Sequence, residues 1–550
     1  MAHVPPSEPN RNEGAQAAEV DPSQLPSRGY STYVLIVLIL VYVFNFIDRQ
    51  IISILAEDIK ADLGISDAQI AFLYGTAFAV FYAIFGIPLG RLADMWTRKS
   101  LISVGLFFWS GMTALSGTAR SFASLATFRI GVGVGEASAT PAAFSMLGDY
   151  FPPKLRATAI ALYSSGVYIG SGIGLLIGGL VVDNWNEAYA NGGAPFGLVG
   201  WQAAFLAVGL PGLLLALWVW TLREPVRGLT EGIVTQQTHP HPFRETMKEL
   251  GSVLPPFTIF SLAINGARHG REPARLIGTN LAIAAGCAAV AFGLITAVGN
   301  AAQWIALSIG LYAFFSWLQG IAMRDPAAFA MVYRSRTVVF GMIGFGFLAF
   351  VGYGLGFWSA PYMQRAHGLS AGEVGSVLGP LSAIGGFIGV STGGMFSDWL
   401  RAKHPKGRIY AGMLTAALSL PAGVGFIMAN NLVVAYTLAF IFNALSSFWI
   451  GSAAALANEM VLPRMRATAS AYYVLAMTFV GLALGPYTMG QISTTLTQGG
   501  ADPTVALRNG ILIGLGAYVL SLAFLFVAGR TVVDEESTRI DRARAAGEQV

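Results

Sequence analysis

The chain has 550 residues, of which 54% are hydrophobic and only 11% are charged, and its mean hydropathy is +0.60. Because an ordinary soluble domain carries about 25% charged residues, this composition indicates a multi-span membrane protein and excludes a soluble enzyme, a secreted protein and a disordered scaffold. The net charge of +4 is too small to indicate nucleic-acid binding, and the single cysteine, Cys287, excludes a disulfide framework and a cysteine metal cluster.

Residues 1–30 are polar and rich in Pro, Ser, Ala and Glu. Such a segment cannot bury a core, so we expect a disordered N-terminal segment. A secretory signal peptide, with a basic start, a short apolar run and a small-residue cleavage site, is not recognisable. The first apolar run, Tyr33–Leu55, is long enough to remain as a membrane span.

Fourteen stretches are long and apolar enough for a helix that crosses the hydrocarbon, which takes about 20 residues. The predicted spans are Tyr33–Leu55, Ala68–Leu89, Leu101–Ala119, Phe122–Leu147, Ala157–Val181, Trp201–Leu222, Leu276–Val298, Ala302–Ala322, Val338–Trp358, Val374–Phe396, Ile409–Met428, Leu432–Leu456, Ala467–Met489 and Ile511–Val527. The seventh and eighth of these also fit a lateral hairpin that does not cross fully, and both interpretations remain open.

The distribution of Lys and Arg predicts the orientation. With the N-terminus in the cytoplasm, only four of the 33 basic residues fall in outside loops and two fall inside spans. The remaining basic residues lie on the cytoplasmic side, as the positive-inside rule requires. We therefore expect a multi-pass protein of the cell membrane with both termini in the cytoplasm.

This topology divides the chain into four parts after the first 30 residues. A six-helix bundle over 31–223 is followed by a linker with two extra spans over 224–335, a second six-helix bundle over 336–528 and a cytoplasmic tail over 529–550. The stretch Phe243–Ile264 of the linker mixes charged and apolar residues. An amphipathic helix on the cytoplasmic membrane surface and a plain linker both fit this pattern.

The two halves contain an internal repeat. The segment Pro153–Tyr163 recurs as Pro463–Tyr473, 310 residues later, and each copy begins a span at the cytoplasmic face. A Gly-x-x-x-Asp pattern that ends at Asp94 recurs at Asp398, where each copy ends a span at the same face. Tandem six-span halves predict two bundles that alternate access to a central path.

Four motifs resemble a known family. The loop Gly90–Lys99 (GRLADMWTRK) resembles the signature loop between helices 2 and 3 of the major facilitator superfamily. The segments Phe44–Gln50, Gly133–Ala137 and Asp149–Thr158 resemble the Spinster branch, whose members transport lysolipids and sphingolipids. The resemblance implies an all-α integral membrane protein with the major facilitator fold. The extra pair exceeds the usual twelve spans, and the second signature loop, at Asp398, is degenerate.

Four ionisable side chains lie inside predicted spans: Asp48, Arg49, Arg129 and Glu136. A charge in mid-bilayer costs at least about 2.5–3.5 kcal/mol, so each needs a partner or a function. Because helices 1 and 4 run in opposite directions, they bring Asp48, Arg49 and Arg129 to similar depths, and Glu136 lies two turns, about 10 Å, deeper than Arg129. Two interpretations remain open. The four charges form either a static ion-pair network or a site that binds a substrate head group and a proton.

Glu136 and, second, Asp48 are the candidate proton carriers. All six histidines fall outside the spans, which excludes a histidine relay. A carboxylate whose arginine partner is taken by a substrate anion loses that partner's stabilisation and takes up a proton. Arg129 is the predicted anion partner, because a guanidinium can bind a carboxylate or phosphate in two contacts. The Spinster resemblance implies that Asp48, Arg49 and Glu136 matter for transport.

The C-terminal half lacks matching charges, since the 310-residue offset pairs Glu136 with Ser446 and Arg129 with Ala439. Its helices 7 and 10 are instead rich in aromatic residues. An apolar half facing a charged half suits an amphipathic solute, although lipid-facing or core positions also explain the aromatic residues. Beside Arg129 and Arg49, the candidate substrate contacts are Tyr353, Asn443 and Trp449.

The resemblance also implies a latch at the cytoplasmic face. In the superfamily the acid at the Asp94 position caps the start of helix 11, and a pair like Arg98 and Asp149 lies beside it. We expect such contacts only when the cytoplasmic side is closed, and ordinary interfacial charge is the alternative. The candidate gating residues are Asp94, Arg98, Asp149, Arg156, Asp398, Glu459 and Arg466.

The pattern Gly131-x-Gly133-x-Gly135 lies inside a predicted span without a preceding strand, so it is not a dinucleotide loop. Without a nucleophile–base pair, P-loop or zinc motif, we expect no enzyme activity and no cofactor. The sequence predicts a monomeric, proton-coupled transporter of a small amphipathic solute, in contact with membrane lipids and without nucleic acid. A proton-coupled symporter of small organic anions and a passive lipid facilitator are the alternatives.

Overall fold

The structure is a computed structural model that describes residues 26–548 except 229, 231–237, 269 and 271. Within these residues the chain is helical and contains no strand. The predicted disordered segment, residues 1–30, lies outside the described residues up to residue 25. Its last residues belong to the first helix, which begins at Arg28 because the Ser27 side chain accepts a hydrogen bond from the Tyr30 N–H and caps it.

Ten helices form the N-terminal bundle. They are α1 (Arg28–Ile54), α2 (Ala56–Leu63), α3 (Asp67–Tyr74), α4 (Thr76–Met95), α5 (Arg98–Ser116), α6 (Phe122–Glu136), α7 (Ala139–Tyr150), α8 (Pro153–Ser164), α9 (Gly166–Ala188) and α10 (Gly200–Trp220). Local sequence explains several of the starts: Ser66 with Gln69, and Ser121 with Ser124, form reciprocal capping boxes at α3 and α6.

The middle of the chain forms α11 (Pro242–Gly251), α12 (Phe257–Arg268), α13 (Pro273–Val298), α14 (Ala301–Arg324) and α15 (Pro326–Tyr333). The C-terminal bundle follows with α16 (Arg336–His367), α17 (Ala371–Lys403), α18 (Gly407–Met428), α19 (Leu432–Ser446), α20 (Ile450–Glu459), α21 (Arg466–Ala476), α22 (Gly485–Gln498), α23 (Pro503–Leu515) and α24 (Ala517–Ser537), before α25 (Arg539–Ala545). A π-helical segment, Met477–Ala483, joins α21 to α22.

Twelve helical stretches of the described residues are long and apolar enough to cross a membrane, and both α13 and α14 are among them. The other two predicted spans correspond to α5 and to the α6–α7 pair, which is interrupted at Ala137 and Ser138. The predicted count of fourteen is therefore approximate, whereas the all-α fold of two bundles with an inserted pair is confirmed.

The linker contains two short helices rather than one continuous amphipathic stretch. Several of its large apolar side chains are exposed, namely Phe243 and Met247 on α11 and Phe257, Phe260 and Ile264 on α12, whereas Leu262 is buried. α11 packs against the end of α4, where the Phe243 ring meets Trp96 edge-on at 5.0 Å between centroids. Exposed apolar rings beside charged residues are typical of a helix that lies on a membrane surface.

The inserted hairpin packs on the side of the two bundles. The fully buried side chain of Asn280 joins its two helices, accepting from Tyr312 at 2.7 Å and donating to Ser316 and Gln319 at 3.1 Å each. α14 contacts α4 of the N-terminal bundle and comes close to Phe479 of the C-terminal bundle. By contrast, almost all residues in the apolar part of α13 are outside the protein core. α13 therefore presents an apolar surface to the surrounding membrane.

The two bundles meet most closely where α9 packs against α17. A Cβ atom on Gly179 would lie 2.2 Å from the Ala371 carbonyl oxygen, and one on Gly379 would lie 2.6 Å from the Gly172 carbonyl oxygen. Both distances are shorter than any real contact, so glycine is required at these positions. Small residues allow two membrane helices to approach until their backbones touch.

We call the side of the molecule that holds Arg28, Met95 and Arg336 the linker face, and the side that holds Ile54 and His367 the opposite face. Among the described residues, every hydrogen bond that joins the two bundles directly lies towards the opposite face. For example, the Ser53 hydroxyl donates to the Phe357 carbonyl at 2.6 Å. The bundles are therefore joined at the opposite face.

Candidate functional site

The centre of the N-terminal bundle holds a buried ion pair. The Arg49 Nε donates to Glu136 Oε2 at 2.7 Å, and the Glu136 side chain is fully buried while the Arg49 side chain is 15% exposed. The Arg49 guanidinium also faces three rings, with its carbon 4.8 Å from the centroid of Phe46, 4.3 Å from that of Phe78 and 5.0 Å from that of Tyr82. These rings stabilise the positive charge and hold it at the edge of the path between the bundles.

A second pair lies deeper in the same bundle. The Arg129 Nη1 donates to the backbone oxygen of Asp48 at 3.0 Å, and both residues are fully buried. The Asp48 carboxylate faces Trp109 and Thr113 of α5 but forms no hydrogen bond within the described residues. Asp48 and Arg129 therefore lie inside the bundle and do not face the path.

The structure thus brings the four predicted charges together, but it pairs them differently from the prediction. Glu136 pairs with Arg49, and Arg129, the predicted partner of a substrate anion, turns to the Asp48 backbone. Asp48 and Arg49 are adjacent on α1 and therefore point to different sides of that helix. Arg129 meets the backbone of Asp48, whereas the Arg49 side chain extends to Glu136, two turns further along α6. Of the four, Arg49 alone is partly exposed, and the other three are fully buried.

The predicted contacts on the C-terminal bundle lie in different surroundings. Tyr353 of α16 is half-buried and within electrostatic range of Arg49. Trp449 is buried against Phe345, with ring centroids 5.9 Å apart, and belongs to the bundle core. The Asn443 Nδ2 donates to the Ala439 carbonyl of its own helix at 2.9 Å. The structure therefore places Tyr353 near the charged pair and Trp449 in the bundle core, while the amide of Asn443 is bonded to its own helix.

Four tyrosines that the sequence analysis did not select join Tyr353 around the path. They are Tyr42 of α1, Tyr82 of α4, Tyr168 of α9 and Tyr473 of α21, all half-buried. Tyr473 lies within electrostatic range of Tyr42, Tyr168 and Tyr353, so both bundles contribute to one group. The cluster therefore combines one partly exposed guanidinium with hydroxyl-bearing aromatic rings from both bundles. The sequence does contain tyrosines in several of the predicted spans. Hydrophobic periodicity alone does not distinguish such tyrosines from core residues.

The predicted gating pairs of the N-terminal half lie within that half and the adjoining linker. Arg98 is buried and ion-pairs with Asp149 and, at 2.7 Å, with Glu224. Arg156 donates to the Gly148 carbonyl at 2.8 Å. Asp94 is exposed, and among the described residues it forms no hydrogen bond or ion pair with α21.

The C-terminal half repeats this arrangement in part. Arg408 pairs with Asp398 at 2.5 Å and with Glu459 at 2.9 Å. Arg466 is exposed at the start of α21. The Arg98–Asp149 pair is present while the bundles are joined at the opposite face. Both partners belong to one bundle, so the relative motion of the bundles does not separate them.

The charged contact that does join the bundles lies at the opposite face, and we call it the Arg365 latch. Arg365 of α16 donates to Asp67 at 3.0 Å and to Glu57 at 2.7 Å, and its side chain is only 9% exposed. Ser493 donates to the same Asp67 carboxylate at 2.6 Å, and Lys60 pairs with it at 2.5 Å. The sequence analysis counted Arg365 and Lys60 only as outside-loop charges.

A second cross-bundle contact lies beside the latch. The Asp183 carboxylate accepts hydrogen bonds from the Ser370 hydroxyl at 2.5 Å and from the Gly372 N–H at 2.8 Å, and so caps the start of α17. Burial, followed by the charge of Asp183, raises the pKa of nearby Asp58 to about 6. Asp58 therefore takes up a proton when the solution at the opposite face becomes mildly acidic, which relieves its repulsion with Asp183.

We expect Arg365→Gln to open the opposite face. The change removes two ion pairs that cross between the bundles, so the open state should gain roughly tenfold in population, about 1.4 kcal/mol. The measurement uses Ser53→Cys in a Cys287→Ser background, because Ser53 is fully buried at the seam. Its labelling by a membrane-impermeant maleimide should become about tenfold faster in the Arg365→Gln variant.

Lys60→Gln is the matched control, because Lys60 pairs with the same Asp67 but both residues belong to the N-terminal bundle. This control should leave the labelling rate close to that of the parent. Equal acceleration by both changes would show that the charge of the cluster, not the cross-bundle latch, holds the opposite face closed.

Comparisons with known proteins agree with this architecture. The family model described as Major Facilitator Superfamily matches residues 38–486. An MFS-type efflux pump of Mycolicibacterium smegmatis is 26% identical over 463 residues, which cover 84% of each chain. A probable L-galactonate transporter of Escherichia coli is 28% identical over 188 residues, 34% of this chain and 38% of that protein.

Among solved structures, a bacterial homolog of the human lysosomal transporter Spinster superposes with a TM-score of 0.66. The two chains are 27% identical, and the superposition covers 93% of this chain and 99% of the other. That structure was solved in an inward-facing and unoccupied conformation. The similarity therefore extends over both bundles.

Proposed function

This chain belongs to the Major Facilitator Superfamily and is similar to its Spinster branch, and on that premise we propose that it is a proton-coupled secondary transporter of an amphipathic, lipid-like solute with an anionic head group. The observation that carries this proposal is the Arg49–Glu136 pair at the edge of the path. Arg49 is the exposed charge of the cluster, and it faces a path walled by tyrosines of both bundles.

The pair provides a route for coupling. When the anionic head group binds the Arg49 guanidinium, it competes with the Glu136 carboxylate for the same donors. Glu136 is fully buried, and a buried carboxylate without its cationic partner is stable only when it is protonated. Binding of the solute therefore requires uptake of a proton by Glu136. Asp48, buried one turn away and unpaired in the described residues, is the second proton site.

The orientation that we propose places the linker face in the cytoplasm, together with both termini, in the cell membrane. It is supported by the predominance of Lys and Arg on that side of the predicted spans. In this orientation the contacts between the bundles lie at the outer face, so the described state is inward-facing. The solute and its proton exchange with the cytoplasm in this state and with the outside when the Arg365 latch opens, and the proton gradient sets the direction of net transport.

A symporter of small organic anions is the second candidate. It is supported by the partial similarity to the L-galactonate transporter and by the same Arg49–Glu136 pair, which also fits a sugar carboxylate. The two candidates differ in the walls of the path: a small polar acid gains little from five tyrosine rings, whereas an acyl chain gains about 25 cal/mol for each Å² of apolar surface that it buries.

The test is flux in proteoliposomes that contain the purified full-length protein. A panel of a lysophospholipid, a sphingoid phosphate and a sugar acid is offered with and without an imposed pH gradient. We expect the lipids to move in proportion to the gradient and the sugar acid to compete weakly. Transport of the sugar acid alone would support the second candidate, and flux that does not respond to the gradient would indicate a passive facilitator.

A further inference from the structure

The buried carboxylate of Glu136 uses only one of its two oxygens. Oε2 accepts from the Arg49 Nε at 2.7 Å, whereas Oε1 is buried and has no hydrogen-bond partner within the described ranges. α6 packs tightly on its neighbours here, since a Cβ atom on Gly133 would lie 2.5 Å from the Phe78 carbonyl oxygen. An unpartnered polar atom is costly in such surroundings, so a proton on Oε1 needs an acceptor close by.

Asn45 of α1 holds a second unpartnered oxygen. The residue is buried, its side chain lies within hydrogen-bonding range of Glu136, and its Oδ1 has no partner in the part of the chain that the structure describes. Asn45 precedes Arg49 by four residues, so the two side chains project from the same face of α1. The amide can turn about its last torsion, and a proton shared by the two side chains would satisfy both oxygens.

Other ionisable groups surround Glu136, and none of them offers this acceptor. They are Arg49 and Asp48 of α1, Tyr82 of α4, Arg129 of α6 and Tyr353 of α16. A guanidinium has donors only. The Asp48 carboxylate faces α5, and both tyrosines lie near the Arg49 guanidinium. The amide oxygen of Asn45 is therefore the acceptor within range of Glu136.

We propose that Asn45 is a positioning residue for the coupling proton, and that its amide oxygen accepts the hydrogen bond which Glu136 donates once Oε1 is protonated. This inference rests on the proposed function, because it concerns the neutral form of Glu136 that coupling requires. The ionised form is held by Arg49 and makes no use of this bond. Asn45 thus favours one protonation state, the state that remains when the solute has taken Arg49 away.

The test is infrared difference spectroscopy of the purified full-length protein over a series of pH values, without any solute. A protonated carboxyl group has a C=O stretching band, and its wavenumber is lower when the group is hydrogen-bonded. The band that is missing in Glu136→Gln belongs to Glu136. We expect Asn45→Leu, which removes the acceptor at similar size, to move this band to higher wavenumber. The pH at which half of the band has formed should fall by about one unit, because each pKa unit is a tenfold change in proton affinity.

Asn184→Leu is the matched control, since Asn184 is an exposed residue of α9 whose Nδ2 donates to the Leu180 carbonyl of its own helix at 2.7 Å. This control should keep the band and its pH dependence as in the parent. Asn45→Thr retains an oxygen acceptor and should recover part of the shift. Thermal unfolding verifies that each variant is folded.

Two results would overturn the role of Asn45 and leave the proposed function intact. One is a Glu136 band that does not respond to Asn45→Leu. The other is a parent band that already lies where a carboxyl group without hydrogen bonds absorbs, and this result needs no variant of Asn45 to fold. If Glu136→Gln removes no band at any pH, Glu136 does not take up a proton, and the proposed function fails together with this inference.

Discussion

Glu136→Gln is expected to abolish transport driven by a pH gradient while the solute still binds. A glutamine keeps the shape of the side chain and can accept a hydrogen bond from Arg49, but it cannot take up a proton. The pH dependence of flux should therefore disappear, with gradient-driven accumulation reduced at least tenfold. Counterflow at equal pH, which needs no net proton movement, should persist. Both are measured in the same proteoliposomes with imposed gradients.

Two further variants make this result specific. Glu187→Gln changes an exposed acid at the end of α9 and should behave as the parent. Asp48→Asn tests the second proton site and should reduce the number of protons moved for each solute. If flux in Glu136→Gln keeps the pH dependence of the parent, Glu136 has no part in coupling and the Arg49–Glu136 pair is structural.

Arg49→Gln is expected to weaken binding of an anionic solute by roughly 10–100-fold. A hydrogen bond to a charged group contributes about 1.5–3 kcal/mol, and a tenfold change in affinity corresponds to about 1.4 kcal/mol. Arg49→Lys keeps the charge but loses the two-contact geometry and should recover part of the affinity. The measurement is the Kd of the purified protein in detergent by isothermal titration calorimetry.

Arg129 provides the comparison, because the sequence analysis favoured it as the anion partner. Arg129 is fully buried and bonded to the Asp48 backbone, so Arg129→Gln should lower the unfolding temperature and leave the Kd of the folded fraction close to that of the parent. If Arg129→Gln weakens binding and Arg49→Gln does not, the solute reaches the deeper residue and the proposed site is wrong.

The sequence predicted most of the helices and the depth of the four buried charges, because both follow from apolar length and spacing. Which charges pair was not predictable from spacing. It depends on how α1 and α6 are rotated about their axes, and that rotation sends Arg129 to the Asp48 backbone and Glu136 to Arg49. Trp449 shows the same limit, since an aromatic residue on a span has the same pattern whether it faces the path or, as here, Phe345.

The Arg365 latch shows a different limit. Glu57 and Asp67 begin the consecutive helices α2 and α3, whereas Arg365 lies near the end of α16, 308 and 298 residues away. Only the joining of two bundles at the opposite face brings them together, and a single sequence without relatives carries no sign of that contact. The Arg98–Asp149 pair was expected from the family resemblance and Glu459 from the repeat, whereas Arg408, the partner of Glu459, was not selected. Each of these pairs lies within one bundle.

All four membrane-embedded charges of the cluster belong to the N-terminal bundle, while the wall that faces them from the C-terminal bundle carries tyrosine and other uncharged side chains. Under the proposed function, the head group and the proton are therefore both handled by the N-terminal bundle, and the C-terminal bundle contributes only uncharged surface to the site. Substitutions in that surface are expected to change which solute tail fits while the Arg49–Glu136 pair is left intact.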